Sequence, residues 1–274
     1  MIALRADRIF DGERLLDENV VLLDDGKVVA VTRDDVPPDV PVRDLPGTTI
    51  LPGLIDAHVH LTADAGPGAL DRLGSLRIAA ETAGLAATRR ALAATIEQSL
   101  RRHLAAGVTT VRDLGDPFDA VLKWRKQAPA GRPSVVASGT PLTSKGGHCW
   151  SLGGEVTGVD EIRAAVRARA ENGADVIKIM ASGGAFTPGT DTMSPQFTDD
   201  ELAAAVAEAR AIGLPITAHA HALAAVRQAA EMGVDGIEHC TCLTPDGVVI
   251  DNELLTALDG IADMLRGFLV GRLC

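Results

Sequence analysis

The sequence predicts an α/β protein with a parallel β-sheet, preceded by a small layer of short β-strands. Beyond residue 52 the pattern changes to strand, loop and helix in repeated order, which is typical of parallel strands joined by crossover helices. Before residue 52, short apolar runs are connected by Asp25-Gly26, a favoured two-residue hairpin turn. We therefore predict two domains, covering residues 1–52 and 53–274.

The smaller domain is predicted to contain three strands and a connector. The strands cover residues 1–10, 20–23 and 28–31. Residues 36–46 contain four prolines, and each proline fixes its own φ and lacks an amide donor. We therefore predict that residues 36–46 connect the small β layer to the larger domain.

The larger domain contains six apolar segments that we predict to be parallel strands. They cover residues 53–55, 109–111, 134–137, 176–179, 216–218 and 236–237. Helices separate these strands. The clearest helix begins at Thr198, where Glu201 three residues later completes a capping box.

Four of the helix-to-strand joints carry a glycine that suits a helix C-cap. Five or six residues beyond each of these glycines lies an ionisable residue. These residues are Asp113, Lys178, His219 and His239. The carboxyl ends of parallel barrel strands meet at one face, which carries the chemistry of such barrels. We therefore expect one ring of reactive side chains.

The composition argues against several functional classes. The 274 residues include 26 Lys and Arg against 37 Asp and Glu, a formal net charge of −11. Because a nucleic-acid surface needs clustered basic residues, we expect no nucleic-acid partner. No apolar run approaches the ~18 residues that span a bilayer, so we expect no membrane partner and a cytoplasmic location. The four cysteines are too few and too unevenly spaced for a disulfide scaffold, and we expect free thiols.

Five residues of the larger domain suit a metal site. His58 and His60 end its first strand, and a spacing of two on an extended segment projects both imidazoles to one side, although such pairs also arise by chance. Lys178 lies in an apolar strand, where burial would lower its pKa and make a neutral amine available. The alternative is that its ammonium group reaches water between helices. For His219 and His239, the alternative is a hydrogen-bonded core histidine.

Four motifs of the larger domain resemble those of the amidohydrolase superfamily. They are PGLIDAHVHL at residues 52–61, KIMASGG at 178–184, AHAH at 218–221 and IEH at 237–239. The joint order of His-x-His, Lys, His and His over nearly the whole chain is highly specific. The chain most resembles the branch of imidazolonepropionase-like and Xaa-dipeptidase-like (prolidase-like) enzymes.

This resemblance implies a fold and a metal centre. The fold is a (β/α)8-type TIM barrel, incomplete here with about six β–α units, and a small β-sandwich to which residues 1–52 contribute. The centre holds two divalent ions, usually zinc. One ion takes the two histidines of the first motif, the other takes one histidine from each of the last two motifs, and the lysine, carboxylated by CO2, bridges both. The implied ligands are His58, His60, Lys178, His219 and His239.

The resemblance also implies an activity, which is metal-dependent hydrolysis of a C–N amide bond. The substrate would be a small molecule such as a dipeptide or an N-acyl amino acid, attacked by a hydroxide shared between the two ions. His148, in a loop after the third strand, and His221, just past the ligand of the fifth strand, are candidates for contacting the substrate. For each of them, a rim histidine without substrate contact is an equal alternative.

The chain departs from the family pattern towards residue 274. The family's last ligand is an Asp at the end of the eighth strand that also acts as general base, and nothing after residue 258 resembles strands seven and eight. We therefore assign no catalytic base, since Asp263 lacks the family's sequence context. The alternative function is a truncated, inactive remnant that at most binds metal. Six strands cannot close a barrel, so we expect an open edge through which a homo-oligomer can form.

Overall fold

The computed structural model describes residues 1–33, 35–63, 85–185, 187–259 and 261. The contacts between Cα atoms divide the chain into two compact units, Met1–Leu54 and Ile55–Cys274. Asp263 and one of the four cysteines, Cys274, lie outside the described residues.

The first unit contains a four-stranded sheet. Its strands are β1 (Ile2–Ile9), β2 (Val20–Asp24), β3 (Lys27–Thr32) and β4 (Val42–Ile50). Their order in the sheet is β3-β2-β1-β4. β2 pairs antiparallel with both β1 and β3, whereas β4 runs parallel to β1. The turn between β2 and β3 has a positive φ at Asp25 and Gly26, as the predicted hairpin requires.

The predicted connector over residues 36–46 is wrong in its second half, because residues 42–46 belong to β4. The strand tolerates Pro46 because it lies at the edge of the sheet, where a missing amide donor removes no bond to an outer neighbour. The described residues of this unit form one sheet, so the second layer of a β-sandwich stays a prediction.

The second unit is an α/β structure whose strands alternate with helices. Its strands are β5 (Leu54–Val59), β6 (Val108–Asp113), β7 (Ser134–Ala137), β8 (Thr143–Ser144), β9 (Glu155–Val156), β10 (Ile177–Met180), β11 (Ile216–Ala222), β12 (Gly236–Thr244) and β13 (Gly247–Val248). Its helices are α1 (Leu85–Ala105), α2 (Ala120–Arg125), α3 (Gly158–Glu171), α4 (Asp199–Ala211), α5 (Leu223–Met232) and α6 (252–259). Within the part of the chain that the structure describes, none of the helices combines the length and apolarity that crossing a membrane requires.

The six predicted strands of the larger domain are all present, as β5, β6, β7, β10, β11 and β12. They form two sheets in sequence order, β5-β6-β7 and β10-β11-β12, with β13 added antiparallel at the end of the second. Leu142, which follows β7 in the chain, forms two backbone hydrogen bonds with β10. Its amide donates to Lys178 O (2.8 Å), and its carbonyl accepts from Met180 N (2.9 Å). The described strands do not close into a barrel.

Helix packing against these sheets follows from the spacing of apolar residues. On α1, Leu92, Ile96 and Leu100 recur every four residues and are fully buried against a cluster that includes Val111 of β6. Helices α3, α4 and α5 bury a second cluster over β10, β11 and β12. The helices thereby leave the carboxyl ends of the strands available for polar side chains.

The capping box at the start of α4 is confirmed and gives a stability prediction. Thr198 Oγ1 accepts from Glu201 N (3.3 Å), and Glu201 Oε2 accepts from Thr198 N (3.0 Å). Replacing Thr198 with alanine leaves a backbone donor unpaired, so we expect the free energy of unfolding to fall by about 1 kcal/mol. Urea denaturation measures this change. Thr95→Ala, which removes an exposed hydroxyl inside α1, is the matched control, and an equal loss in both variants would contradict the assignment.

Candidate metal centre

All seven candidate site residues line one cavity of about 580 Å³ in the second unit. His58 and His60 enter it from the end of β5, Lys178 from β10, His219 and His221 from β11, and His239 from β12. His148 enters from the loop between β8 and β9. The remaining walls are largely apolar and include Leu152, Met180 and Ala185.

The imidazole rings form a continuous cluster. The ring centroid of His58 lies 5.4 Å from that of His60 and 5.1 Å from that of His239. His239 is in turn 4.7 Å from His219, and His219 is 4.4 Å from His148. The strands therefore bring together histidines that are separated by up to 181 residues along the chain.

One trio within this cluster is tight enough to share a single ion. Ring nitrogens of His219, His221 and His239 all lie within 4.8 Å of one another. Imidazole nitrogens bind zinc readily, and three protein ligands leave a fourth position open. His221, predicted as a candidate for contacting the substrate or as a rim histidine, thus lies beside two of the candidate ligands.

Lys178 is buried in the wall of the cavity. Its side chain is 1% exposed, and its Nζ has no hydrogen-bond partner among the described residues. Burial lowers the pKa of Lys178 to about 8, partly opposed by the charge of Glu238. The alternative in which the ammonium group reaches water disagrees with this position. An appreciable fraction of the amine is neutral near pH 8.

Several cavity histidines are held neutral, although only His148 and His219 among them are buried, His60 is half-buried and His239 is exposed. Loss of contact with water first, and then repulsion from Lys178 and from a proton on a neighbouring imidazole, lower the pKa values of His60, His148 and His239 to about 4. The same causes lower the pKa of His219 further. Neutral imidazoles keep a lone pair, which is the form that binds metal ions.

Glu238 is a buried residue of the site that the sequence analysis did not single out. Its Oε2 lies 2.8 Å from His58 Nδ1, and its Oε1 accepts from Arg112 Nη2 (2.8 Å) and Thr217 Oγ1 (2.7 Å). Burial by itself would raise the pKa of Glu238, but hydrogen bonding to His58 and the nearby charges of Lys178 and Arg112 outweigh it and lower the pKa to about 2. The carboxylate accepts the Nδ1 proton of His58, which leaves Nε2 free to bind a ligand.

An irregular backbone explains why Glu238 and His239 both reach His58. Successive strand residues normally point to opposite faces. Here His239 and Cys240 have positive φ values of 68° and 47°, and the pairing register with β11 shifts beside them. No glycine marks this irregularity in the sequence. The only available signal for Glu238 was its place next to a candidate ligand.

Asp113 occupies the predicted rim but does not line the cavity. It is fully buried and accepts from Leu61 N (2.6 Å) and Gly115 N (3.1 Å). The carbonyl of Gly115 lies 2.9 Å from His60 Nδ1. Gly115 has a φ of 152°, and a Cβ there would lie 3.3 Å from Pro141 and 3.5 Å from His60. Asp113 therefore holds the backbone that orients His60.

His148 is held by the loop that follows β10. Its Nδ1 lies 2.8 Å from Thr187 Oγ1, and its amide donates to Gln196 Oε1 (2.6 Å). The ring lies against Gly184, where a Cβ would approach ring atoms to 2.4 Å. The GG pair of the KIMASGG motif thus makes room for an imidazole. Cys149 and, beside His239, Cys240 and Cys242 are free thiols, as predicted.

Asp116, close to the candidate centre, gives a prediction on pH dependence. Its Oδ1 accepts from Ala120 N, whereas its buried Oδ2 has no partner in the described structure. Burial, followed by the charges of Asp113 and Asp119, raises the pKa of Asp116 well above its usual value. The folded state therefore binds this proton more tightly than the unfolded state, and stability falls as the pH rises above about 4.

Asp116→Asn cannot ionise and should lose less stability than the wild type between pH 5 and pH 8. We subtract the free energy of unfolding of the wild type from that of the variant at each pH. This difference should be about 1–3 kcal/mol larger at pH 8 than at pH 5. Urea denaturation at both pH values measures the difference. Asp39→Asn, at an exposed position, is the control. Parallel pH profiles for Asp116→Asn and the wild type would contradict this account.

Comparison with known proteins agrees with the motifs. The sequence model of the amidohydrolase family matches residues 49–257. The ochratoxinase of Aspergillus niger is 29% identical over an alignment length of 261 residues, and the alignment covers 84% of this chain and 52% of that enzyme. The chain thus spans about half the length of the curated relatives that it matches.

Solved structures give the same result. A Xaa-Pro dipeptidase with bound methionine in its active site has a TM-score of 0.78 and 25% identity, with 95% of this chain and 65% of that chain covered. A prolidase complexed with N-methylphosphonate-L-proline has a TM-score of 0.78 and 29% identity, with coverage of 95% and 64%. The chain belongs to the amidohydrolase family, because the family model matches well over half of its residues and these structural neighbours agree with that match.

Proposed function

We propose that the chain is a metal-dependent hydrolase that cleaves a C–N amide bond in a small substrate, such as a dipeptide or an N-acyl amino acid. The observation that carries this proposal is the environment of Lys178. A buried amine without a hydrogen-bond partner, facing a cluster of neutral imidazoles, is costly to maintain in a cavity that has no further role. The same amine and imidazoles together make a ligand set for divalent ions.

The residues fit two divalent ions, for which zinc is our proposal. His58 and His60 would hold one ion, and His219 and His239 the other. The neutral amine of Lys178 would add to CO2 and release a proton, and the resulting carbamate would add oxygen ligands to this set. The chemistry that such ions would supply is Lewis acidity, which would polarise the scissile carbonyl and lower the pKa of water enough for attack at neutral pH.

The protein groups around this set have separate proposed roles. Glu238 orients His58 through the 2.8 Å contact with Nδ1, and the Gly115 carbonyl orients His60. His148 and His221 would contact polar atoms of the substrate. The apolar walls, which include Leu152 and Met180, would take an apolar side chain of the substrate and exclude water from the reacting bond.

The test is hydrolysis by the full chain loaded with zinc. Dipeptides and N-acyl amino acids with apolar side chains form the substrate panel, and amine release is the readout. We expect activity that depends on zinc and that rises when CO2-free protein is loaded in the presence of bicarbonate. His103→Ala is the control, because His103 lies on α1 with its Nδ1 next to Ser99 O, away from the cavity.

Two outcomes would contradict the proposal. One is the absence of hydrolysis across the panel while zinc is bound, which is the behaviour of an inactive remnant. The other is zinc binding and activity that do not change between CO2-free and bicarbonate-containing buffer, which would exclude the carbamate on Lys178.

A further inference from the structure

Three of the imidazoles stand in a near-equilateral triangle. The ring centroids of His219 and His221 are 4.6 Å apart, those of His219 and His239 are 4.7 Å apart, and those of His221 and His239 are 4.8 Å apart. Zinc held at about 2.0–2.1 Å by three imidazole nitrogens, with near-tetrahedral angles, needs those nitrogens about 3.4 Å from one another. The ring nitrogens of the three histidines lie within 4.8 Å of one another, so the rings must turn towards a common point for all three to bind one ion.

The tautomer of His221 is set by Thr241. The Thr241 hydroxyl lies 3.3 Å from the His221 carbonyl and donates to it, so its oxygen is free to accept the Nδ1 proton of His221 at 2.8 Å. Nε2 of His221 then carries a lone pair. The backbone of His221 is also held, because its amide donates to Ser182 Oγ (2.9 Å). These bonds prepare the ring to bind an ion.

His219 offers a lone pair by a similar argument. Its Nε2 lies 3.3 Å from the carbonyl of Gly183, and in the tautomer that donates to this carbonyl Nδ1 is free. His239 adds the third ring from the irregular segment of β12, where its positive φ of 68° departs from ordinary strand geometry.

We propose that His219, His221 and His239 form a three-imidazole site that binds one zinc ion without Lys178. This inference rests on the proposed function and changes one part of it, since His221 becomes a ligand of one of the two ions in place of a contact to the substrate. With three imidazoles in place, this ion binds first and before Lys178 is carboxylated. The second ion, at His58 and His60, then depends on the carbamate.

The experiment is a calorimetric titration of zinc into the metal-stripped full chain carrying Lys178→Ala. We expect this variant to bind one ion. Adding His221→Ala should weaken that binding at least about 100-fold, because changes to groups that only orient a ligand already cost about 10–100-fold. Visible absorption of bound cobalt, which is strong in tetrahedral sites, should appear in Lys178→Ala and disappear in the double variant.

Further variants test the role of Thr241 while the His221 ring remains. In the Lys178→Ala background, Thr241→Val should weaken zinc binding about tenfold or more, whereas Thr241→Ser should keep it. Adding His103→Ala should leave binding unchanged. Circular dichroism of the metal-free proteins shows whether His221→Ala folds. If it does not, the comparison of Thr241→Val with Thr241→Ser tests the three-imidazole site.

Two results would overturn the three-imidazole site. One is a Lys178→Ala chain that binds no zinc, and the other is equal affinity with and without His221. These results differ from a failure of the proposed function. A wild-type chain that binds zinc through His221 but hydrolyses nothing would contradict only the function, and a chain that hydrolyses amides with unchanged affinity in His221→Ala would contradict only this site.

Discussion

Lys178→Met is expected to remove hydrolysis and to stabilise the metal-free protein at the same time. Methionine fills a similar volume without a buried amine that lacks a partner, so the free energy of unfolding should rise by about 1–3 kcal/mol at pH 7. Hydrolysis should fall more than about 100-fold, because loss of a ligand exceeds the 10–100-fold cost of losing a group that orients one. Urea denaturation and amine release measure the two effects.

The stability gain of Lys178→Met should depend on pH. Burial lowers the pKa of Lys178 from 10.5 to about 8, so between these values the unfolded state binds more protons than the folded state. Wild-type stability therefore rises with pH in this range, and the advantage of the variant should shrink from pH 8 to pH 10.5. Lys145→Met, at an exposed position, is the control. If Lys178→Met were less stable than the wild type at pH 7, the claim that the unpaired amine of Lys178 destabilises the fold would be wrong.

Glu238→Gln is expected to weaken both the fold and the metal centre. The change removes the negative charge that Arg112 contacts at 2.8 Å inside the protein, and breaking a buried ion pair costs about 3–5 kcal/mol. It also removes the carboxylate that accepts the Nδ1 proton of His58, so zinc affinity should fall about 10–100-fold. Urea denaturation of the metal-free chain and zinc titration of the folded chain separate the two losses.

The matched control for Glu238→Gln is Glu97→Gln. Glu97 also contacts two arginines, Arg101 and Arg132, but at a partly exposed position on α1 and outside the cavity. Surface ion pairs contribute about 0–1 kcal/mol, so this variant should be nearly as stable as the wild type and should bind zinc with unchanged affinity. If Glu238→Gln lost stability but kept full zinc affinity, Glu238 would be a structural residue without a role in orienting His58.

The order of the strands and the positions of the cavity residues could be predicted because both depend on local patterns. Short apolar runs give parallel strands, and glycines such as Gly107 and Gly233 adopt the positive φ that a helix C-cap uses. Counting from these glycines located Lys178, His219 and His239, which all line the cavity. Asp113 shows the limit of counting, because the same register places its side chain under a loop instead of in the cavity.

The errors and omissions concern pairing between distant segments. Residues 42–46 contain Pro46, which argues against a strand, yet β1 provides a parallel partner that makes β4 the edge of a sheet. The hairpin partner β13 was likewise not predicted, because two residues carry too little pattern to indicate a strand. Such pairings depend on which segments meet, and that information is spread over the whole chain.

The sequence by itself determined the family, the alternation of strands and helices, and the set of side chains that can bind metal ions, because each depends on residue type and short spacing. Only the tertiary structure decided how these side chains interact. It joined Arg112, Thr217 and Glu238 behind His58, left Lys178 buried without a partner, and brought His221 beside His219 and His239. Contacts of this kind follow from the irregular φ values in β12 and from packing across strands, which no local pattern records.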